Sequence, residues 1–372
     1  MSVTFDRPPL WRRLRPYFSG FDGPLLAGLL WLVAIGCIVL FSALQDAHVP
    51  FGDHVRNLAI GFLVLFAVAQ VPPQRLMQAA VPVYTLGVTL LVATAMFGLV
   101  RKGARRWLDL GVTVVQPSEI MKIAVPLMLA WYFQKREGQI RVKDFFIATG
   151  LLLLPVALIA KQPDLGTALL VLSTGAFVIF FAGLSWRVIA LLAALAAAGA
   201  PLMWHFMHDY QRQRLMMLFD PQSDPLGKGF NIIQSMIAIG SGGVFGQGYL
   251  HGTQAHLNFV PESHTDFVFS VLAEEWGLAG NLVLLVAYAF FILRGLMIAA
   301  GAPTLFSRLL AASISLIFFL YAFVNMGMVS GILPVVGVPL PFISYGGTAL
   351  TTLMLGTGIL LSIAKSKRLV QS

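Results

Sequence analysis

The chain has 372 residues, of which 58% are hydrophobic and only 11% charged, with 25 Lys and Arg against 16 Asp and Glu for a formal charge of +9. A water-facing surface needs roughly 25% charged residues, so a soluble globular domain is excluded; a mean hydropathy of +0.82 points to an integral membrane protein. The one cysteine, Cys37, lies in an apolar run, which excludes a disulfide framework and a cysteine-based metal site. The basic excess speaks for membrane orientation and anionic membrane lipids, and no nucleic acid is implied.

A membrane span needs about 20 mostly apolar residues, and in lipid only a helix satisfies its own backbone. Ten such stretches are expected, at about 24–44, 55–71, 79–100, 117–134, 144–161, 164–184, 187–206, 266–293, 305–331 and 343–364. The chain therefore reads as a single all-α, polytopic membrane domain, with an N-terminal arm of about 1–23 and a tail of about 365–372. The arm has no short apolar core with a small-residue cleavage site, so the first span is expected to be its own signal. An even number of spans puts both ends on one side. That side carries Arg7, Arg12, Arg13 and Arg15, Arg75, Lys135, Arg136, Arg141 and Lys143, Arg187, Arg294, Arg308, Lys365, Lys367 and Arg368. The positive-inside bias makes it cytoplasmic.

The outward basic residues run against that bias and are clustered. Arg101, Lys102, Arg105 and Arg106 fall in the turn FGLVRKGARRWLDLGVTVVQPSE, and Lys161 in KQPDLG. Arg212, Arg214 and Lys228 fall in a long outward loop of about 207–265, between the seventh and eighth spans. An anionic ligand on the outer face would explain them; so would anionic headgroups. The loop's interior, NIIQSMIAIGSGGVFGQGYL, is too apolar for disorder and is expected to be a folded lid or re-entrant segment that shapes a site.

Ionisable groups within or at the ends of spans are costly, and each is a functional candidate. Asp266 opens the apolar stretch DFVFSVLAEEWG directly after the loop, where a carboxylate can act as a general base, its pKa set by His264 and nearby cations. The competing reading is a helix cap, because Ser263-x-x-Asp266 fits a capping pattern. Glu274 and Glu275 lie too far round the same helix to share a cavity with it; one of them is expected to anchor a neighbouring helix or a polar seam. Glu119 and Lys122, three apart in QPSEIMK, either pair with each other or hold Lys122 toward an anionic ligand. Asp164 reads as an N-cap. His251, His256, Glu262, His264 and Asp266 match no defensible metal spacing. No cofactor is evident; the form a metal would take is a weakly held Mg or Mn ion bridging a ligand pyrophosphate. The last outward loop, GILPVVGVPLPFISYGG, is stiff and irregular, so it must be buried in protein or line a cavity. There Ser344 and Tyr345 can donate hydrogen bonds to a ligand or satisfy the loop's own backbone. No nucleotide-binding loop is present.

Seven strings in order carry a resemblance: GARRWLDLG, QPSEIMKIAVPLM, KQPDLGTALL, MHDYQRQR, DPLGKGFNIIQSMIAIGSGG, GYLHGTQAHLNFVPESHTDFVF and NMGMVSGILPVVGVPLPFISYGG. Together they resemble the SEDS family (shape, elongation, division and sporulation) from about residue 20 to the C-terminus. The resemblance implies a ten-span polymerase of the bacterial cell wall in the cytoplasmic (inner) membrane. Its members join lipid II, a lipid-linked disaccharide-pentapeptide, into glycan on the outer, periplasmic face. They work with a class B penicillin-binding protein and other elongation-complex proteins. It implies that Asp266 is the catalytic carboxylate and places the basic residue of an R-W-x-D motif on Arg106. The expected site is then Asp266 as base, with Arg106, Lys122, Lys161, Arg212, Arg214 and Ser344 around lipid II and its pyrophosphate. Glu119, Trp107, His264 and Glu262 support it. The competing classes are a lipid II flippase or other transporter, which would bind the same headgroup, and a non-catalytic scaffold.

Overall fold

A computed structural model describes residues 20–45, 50–101, 104–109, 114–206, 212, 216, 229–253 and 264–371. Among the described residues, a helix falls on each of the ten expected stretches: α1 (Gly23–Ala43), α2 (Phe51–Ala69), α3 (Pro73–Phe97), α4 (Pro117–Lys135), α5 (Val142–Lys161), α6 (Leu165–Phe181), α7 (Trp186–Phe206), α9 (Val268–Ala300), α10 (Leu305–Val329) and α11 (Thr348–Gln371). Among the described residues, seven helices are both long and apolar enough to cross a membrane. An eleventh, the short α8 (Phe230–Ser241), lies in the long loop.

Local chemistry sets the helix starts. Proline stands in the first turn of α1, α3 and α4, where its missing N–H has no helical partner to lose. Asp22 caps α1 through the Leu25 N–H, Asp164 caps α6 as expected through the Thr167 N–H, and at the start of α5 the Asp144 carboxylate accepts the Arg141 N–H at 2.8 Å. Large apolar side chains such as Leu63, Leu86 and Phe146 remain exposed, as a lipid-facing surface requires.

The most enclosed long helix is α10, which packs on α4, α6, α9 and α11. Its sequence is apolar nearly all round, the pattern of a helix buried within a bundle. At the end of the bundle away from Asp266, the Asp22 carboxylate meets Arg294 of α9 in a two-pronged pair at 2.6 and 2.8 Å.

Two features depart from a plain bundle. The turn between α3 and α4 is a small antiparallel sheet, β1 (Leu99–Arg101), β2 (Ala104–Asp109) and β3 (Val114–Val115), in that order. The second is a break in α9 at Gly277, where φ is 62° and ψ −157°. In a continuous helix the N–H groups of Leu278 and Ala279 would bond the carbonyls of Glu274 and Glu275. Here those carbonyls accept from Gln247 and Gly248, at 2.9 and 3.1 Å. The two N–H groups donate to Gly243 and Val244, both at 3.0 Å. The segment SGGVFGQG thus gives partners to all four backbone groups freed by the loss of those two helical bonds, which is how a broken helix survives among apolar surroundings. A Cβ on Gly242 or Gly246 would collide with the α9 backbone. The expected folded segment is therefore real in its described part: α8 and the turn after it are joined to α9.

Candidate functional site

Asp266 lies in a turn over 264–267 that precedes α9. The helix is capped at Phe267, without a side-chain hydrogen bond. Asp266 sits just before that cap position, so the capping reading does not describe it; Ser263 lies outside the described residues. What holds the turn comes from elsewhere. Asn325 of α10 donates from Nδ2 to the Asp266 carbonyl at 2.8 Å and to the Val338 carbonyl at 2.7 Å. The Tyr345 N–H donates to the His264 carbonyl at 2.8 Å, and the two rings meet edge to face at 5.9 Å. A Cβ placed on Gly337, whose φ is 72°, would lie 3.3 Å from Oδ2 of Asp266.

The proline-rich loop therefore forms one wall beside Asp266. Ser344 is largely spent on that wall: its Oγ accepts the Leu340 N–H at 2.7 Å. Behind Tyr345 stands His54 of α2, fully buried, with its ring 6.2 Å from the tyrosine and no hydrogen-bond partner on either nitrogen among the described residues.

The KQPDLG turn abuts the same wall. Gly166 approaches so closely that a Cβ would stand 2.6 Å from the Val336 carbonyl, one residue before Gly337. Arg106 on β2 grips this turn through the carbonyls of Gln162 and Pro163, and its guanidinium lies 3.8 Å from Asp164. Lys161 is exposed on the same turn, and Trp107 is half-buried beside Arg106, opposite Leu99. The proline-rich loop thus meets Asp266 at Gly337 and, one residue earlier, the turn that carries Lys161 and is gripped by Arg106.

Other expected residues are used differently. Lys122 is buried in α4, 2.5 Å from Glu119 and hydrogen-bonded to the Tyr321 hydroxyl of α10. The pairing reading describes it: an ammonium within the bundle needs a carboxylate close by. Glu119, rather than Lys122, reaches the surface of a groove; its Oε2 has no hydrogen-bond partner among the described residues. Arg212 donates to the carbonyls of Trp204 and His205, at 3.0 and 2.8 Å, the last turn of α7. Arg214 and Glu262 lie outside the described residues. Glu275 accepts from Ser42 of α1, and Glu274 from Thr253 at 3.1 Å. One glutamate does anchor a neighbouring helix; the other ties down the loop. Among the described residues no group of three or more His, Cys, Asp or Glu side chains gathers in metal-binding geometry; His256 and Glu262 of the candidate set lie outside them.

The groove has a volume of about 680 Å³ and runs between α2, α3, α4 and α11. Its walls are apolar, with Ile60, Val83, Ile123 and Leu355 among them. Asn57, Gln116, Glu119, Gly347 and Thr348 make one part polar. Gln116 also donates to Asp164 at 3.2 Å, and Gly347 follows Tyr345 by two residues. The polar part of the groove therefore joins the elements that surround Asp266. Asn325, Gly337, Gly166 and His54 were not singled out in the sequence. A lone amide in an apolar helix would have pointed to Asn325; the others are visible only through contacts between distant segments.

The family model described as "Cell cycle protein", spanning the FtsW, RodA and SpoVE proteins, matches residues 24–369. Peptidoglycan glycosyltransferase MrdB of Escherichia coli K12 is 51% identical, over 94% of this chain and 95% of its own. A solved structure described as "Structural coordination of polymerization and crosslinking by a peptidoglycan synthase complex" is similar with a TM-score of 0.80 and 34% identity, over 94% of this chain and 99% of that one. The rod shape determining protein RodA of Thermus thermophilus is similar with a TM-score of 0.72 and 31% identity, over 95% and 99% of the two chains.

Proposed function

The chain belongs to the FtsW/RodA/SpoVE family of cell cycle proteins, and we infer that it does what the names of its relatives say: it is a multi-pass membrane enzyme, a peptidoglycan glycosyltransferase. Its substrate is lipid II, which it polymerises into glycan strands during cell elongation, on the outer face of the bacterial inner membrane, with both termini in the cytoplasm. A class B penicillin-binding protein cross-links the product, in keeping with the synthase complex that this chain resembles.

The reaction joins two lipid-linked sugars. The 4-hydroxyl of the acceptor GlcNAc attacks C1 of the donor MurNAc. Undecaprenyl pyrophosphate departs from the opposite side, so the α-linked donor becomes a β-1,4 link. A hydroxyl is a poor nucleophile at neutral pH, and a base within reach contributes typically 10²–10⁴-fold. Asp266 takes that proton. Negative charge grows on the departing pyrophosphate and is stabilised by fixed cations. Lys161 of the KQPDLG turn and Arg106, which grips that turn from β2, are the first candidates, with Arg212 and Arg214 as further members of the set. Lys122 acts from behind, holding Glu119 at the groove. The apolar groove takes the polyprenyl chain. Mg or Mn would serve only by bridging the pyrophosphate.

One observation supports this reading above the others. Asp266 stands outside its helix, against the proline-rich loop that also meets the KQPDLG turn and leads into the polar part of the groove. The test is polymerisation of labelled lipid II by the purified protein with its partner transpeptidase, wild type against Asp266→Asn. Loss of glycan with lipid II binding kept supports the assignment; normal polymerisation by the variant refutes it. Scrambling of lipid II across vesicles without glycan would move the protein to the transporters.

A further inference from the structure

We propose that Asn325 is the positioning residue for Asp266, setting the place of its carboxylate from the neighbouring helix. The proposal rests on the reading of Asp266 as the general base.

Asn325 is fully buried in a helix whose other nearby residues are apolar. An amide so placed costs stability unless its hydrogen bonds are made. Both bonds it makes are donations from Nδ2, and both acceptors are backbone carbonyls, so the orientation of the amide is settled. Its Oδ1 has no partner among the described residues. A buried orphan acceptor is unfavourable, so packing alone does not account for an amide here; its donors do.

What the donors join is specific. One carbonyl belongs to Asp266 itself, and the other to Val338, next to the Gly337 against which the Asp266 carboxylate lies. Asn325 thus fixes the base and the wall beside the base with one planar group. The cap residue of α9, Phe267, makes no side-chain hydrogen bond of its own. A general base works only within hydrogen-bond reach of its proton, and a misplacement of about 1 Å can cost 10²-fold.

The experiment measures kcat and KM for labelled lipid II with the purified full-length protein and its partner transpeptidase. Asn325→Leu keeps the branched shape, at a somewhat larger volume, and removes the donors. Gly337→Ala pushes on the same carboxylate from the other side. Both are expected to lower kcat about 10- to 100-fold with KM unchanged. Bound lipid II counts the folded protein, so a variant that is merely unstable loses binding and rate together. If Asn325→Leu does not fold, Gly337→Ala is read alone. Wild-type kcat in whichever variant folds overturns the proposal, as does a raised KM with kcat kept. Asp266→Asn is measured alongside. Should it polymerise at the wild-type rate, the base assignment falls and takes the proposal with it. Should it be inactive while the other two keep kcat, only the positioning role falls.

Discussion

Asp22 and Asp266 each stand immediately before a long membrane helix, yet they are used in opposite ways. The Asp22 side chain caps α1 and binds Arg294 with both oxygens. Asp266 stands one residue before the cap residue of α9, Phe267, and its backbone carbonyl is held by Asn325. At the far end of the bundle a carboxylate closes a helix and joins it to a neighbour. At the site, a neighbouring helix fastens the backbone of the residue that carries the carboxylate. Asp164 is intermediate: it caps α6, receives Gln116 and lies near Arg106.

The comparison is broken most sharply by changing the two aspartates in turn. Asp266→Asn should reduce glycan polymerisation by about 10²–10⁴-fold with little change in melting temperature in detergent. If the melting temperature fell with the rate, Asp266 would be structural like its counterpart. Next comes Arg106→Lys, which keeps the charge but loses the fork that grips the Gln162 and Pro163 carbonyls. A drop of about tenfold in kcat/KM for lipid II is expected, since the turn bordering the Asp266 loop loosens; an unchanged value would mean that charge alone suffices. Asp22→Ala should do the reverse of Asp266→Asn. Losing the cap and the two-pronged pair costs about 1–3 kcal/mol of stability, read by thermal unfolding, while turnover per folded molecule is kept. The smallest effect is Thr253→Val, which removes the hydroxyl that donates to Glu274. Roughly 1 kcal/mol is expected, seen as faster proteolysis of the 242–253 segment.

The helices were legible because a span of about 20 apolar residues leaves an unmistakable run in the sequence. The sheet between α3 and α4 was not: its strands have three, six and two residues, too short for an alternation signal, and β2 reads ARRWLD. The site was legible as a set of residue types on one face, and its wiring was not. Lys122 read equally as a ligand or as a partner of Glu119, because only the position of Tyr321, far along the chain, shows where the ammonium points. The capping pattern at Asp266 is a local signal that stood beside the base reading; its first member, Ser263, lies outside the described residues, and α9 begins at Val268, after a turn that Asn325 and Tyr345 contact. Glu275 found its partner 233 residues away, a distance over which sequence spacing carries no information.

The break in α9 also settles a question of depth. Unbroken, 33 residues would make a rod of about 50 Å, far longer than the roughly 30 Å of hydrocarbon in a bilayer. Counted from Leu278, the remaining stretch to Ala300 is about 34 Å long, a fair match to that thickness. The nine residues before the break add a short arm of about 13 Å, and Asp266 stands at its tip. With the longer part of α9 spanning the hydrocarbon, as the proposed function requires, the arm would carry the carboxylate to the level at which a membrane lipid holds its phosphates. A polyprenyl-linked sugar can reach it there without leaving the bilayer.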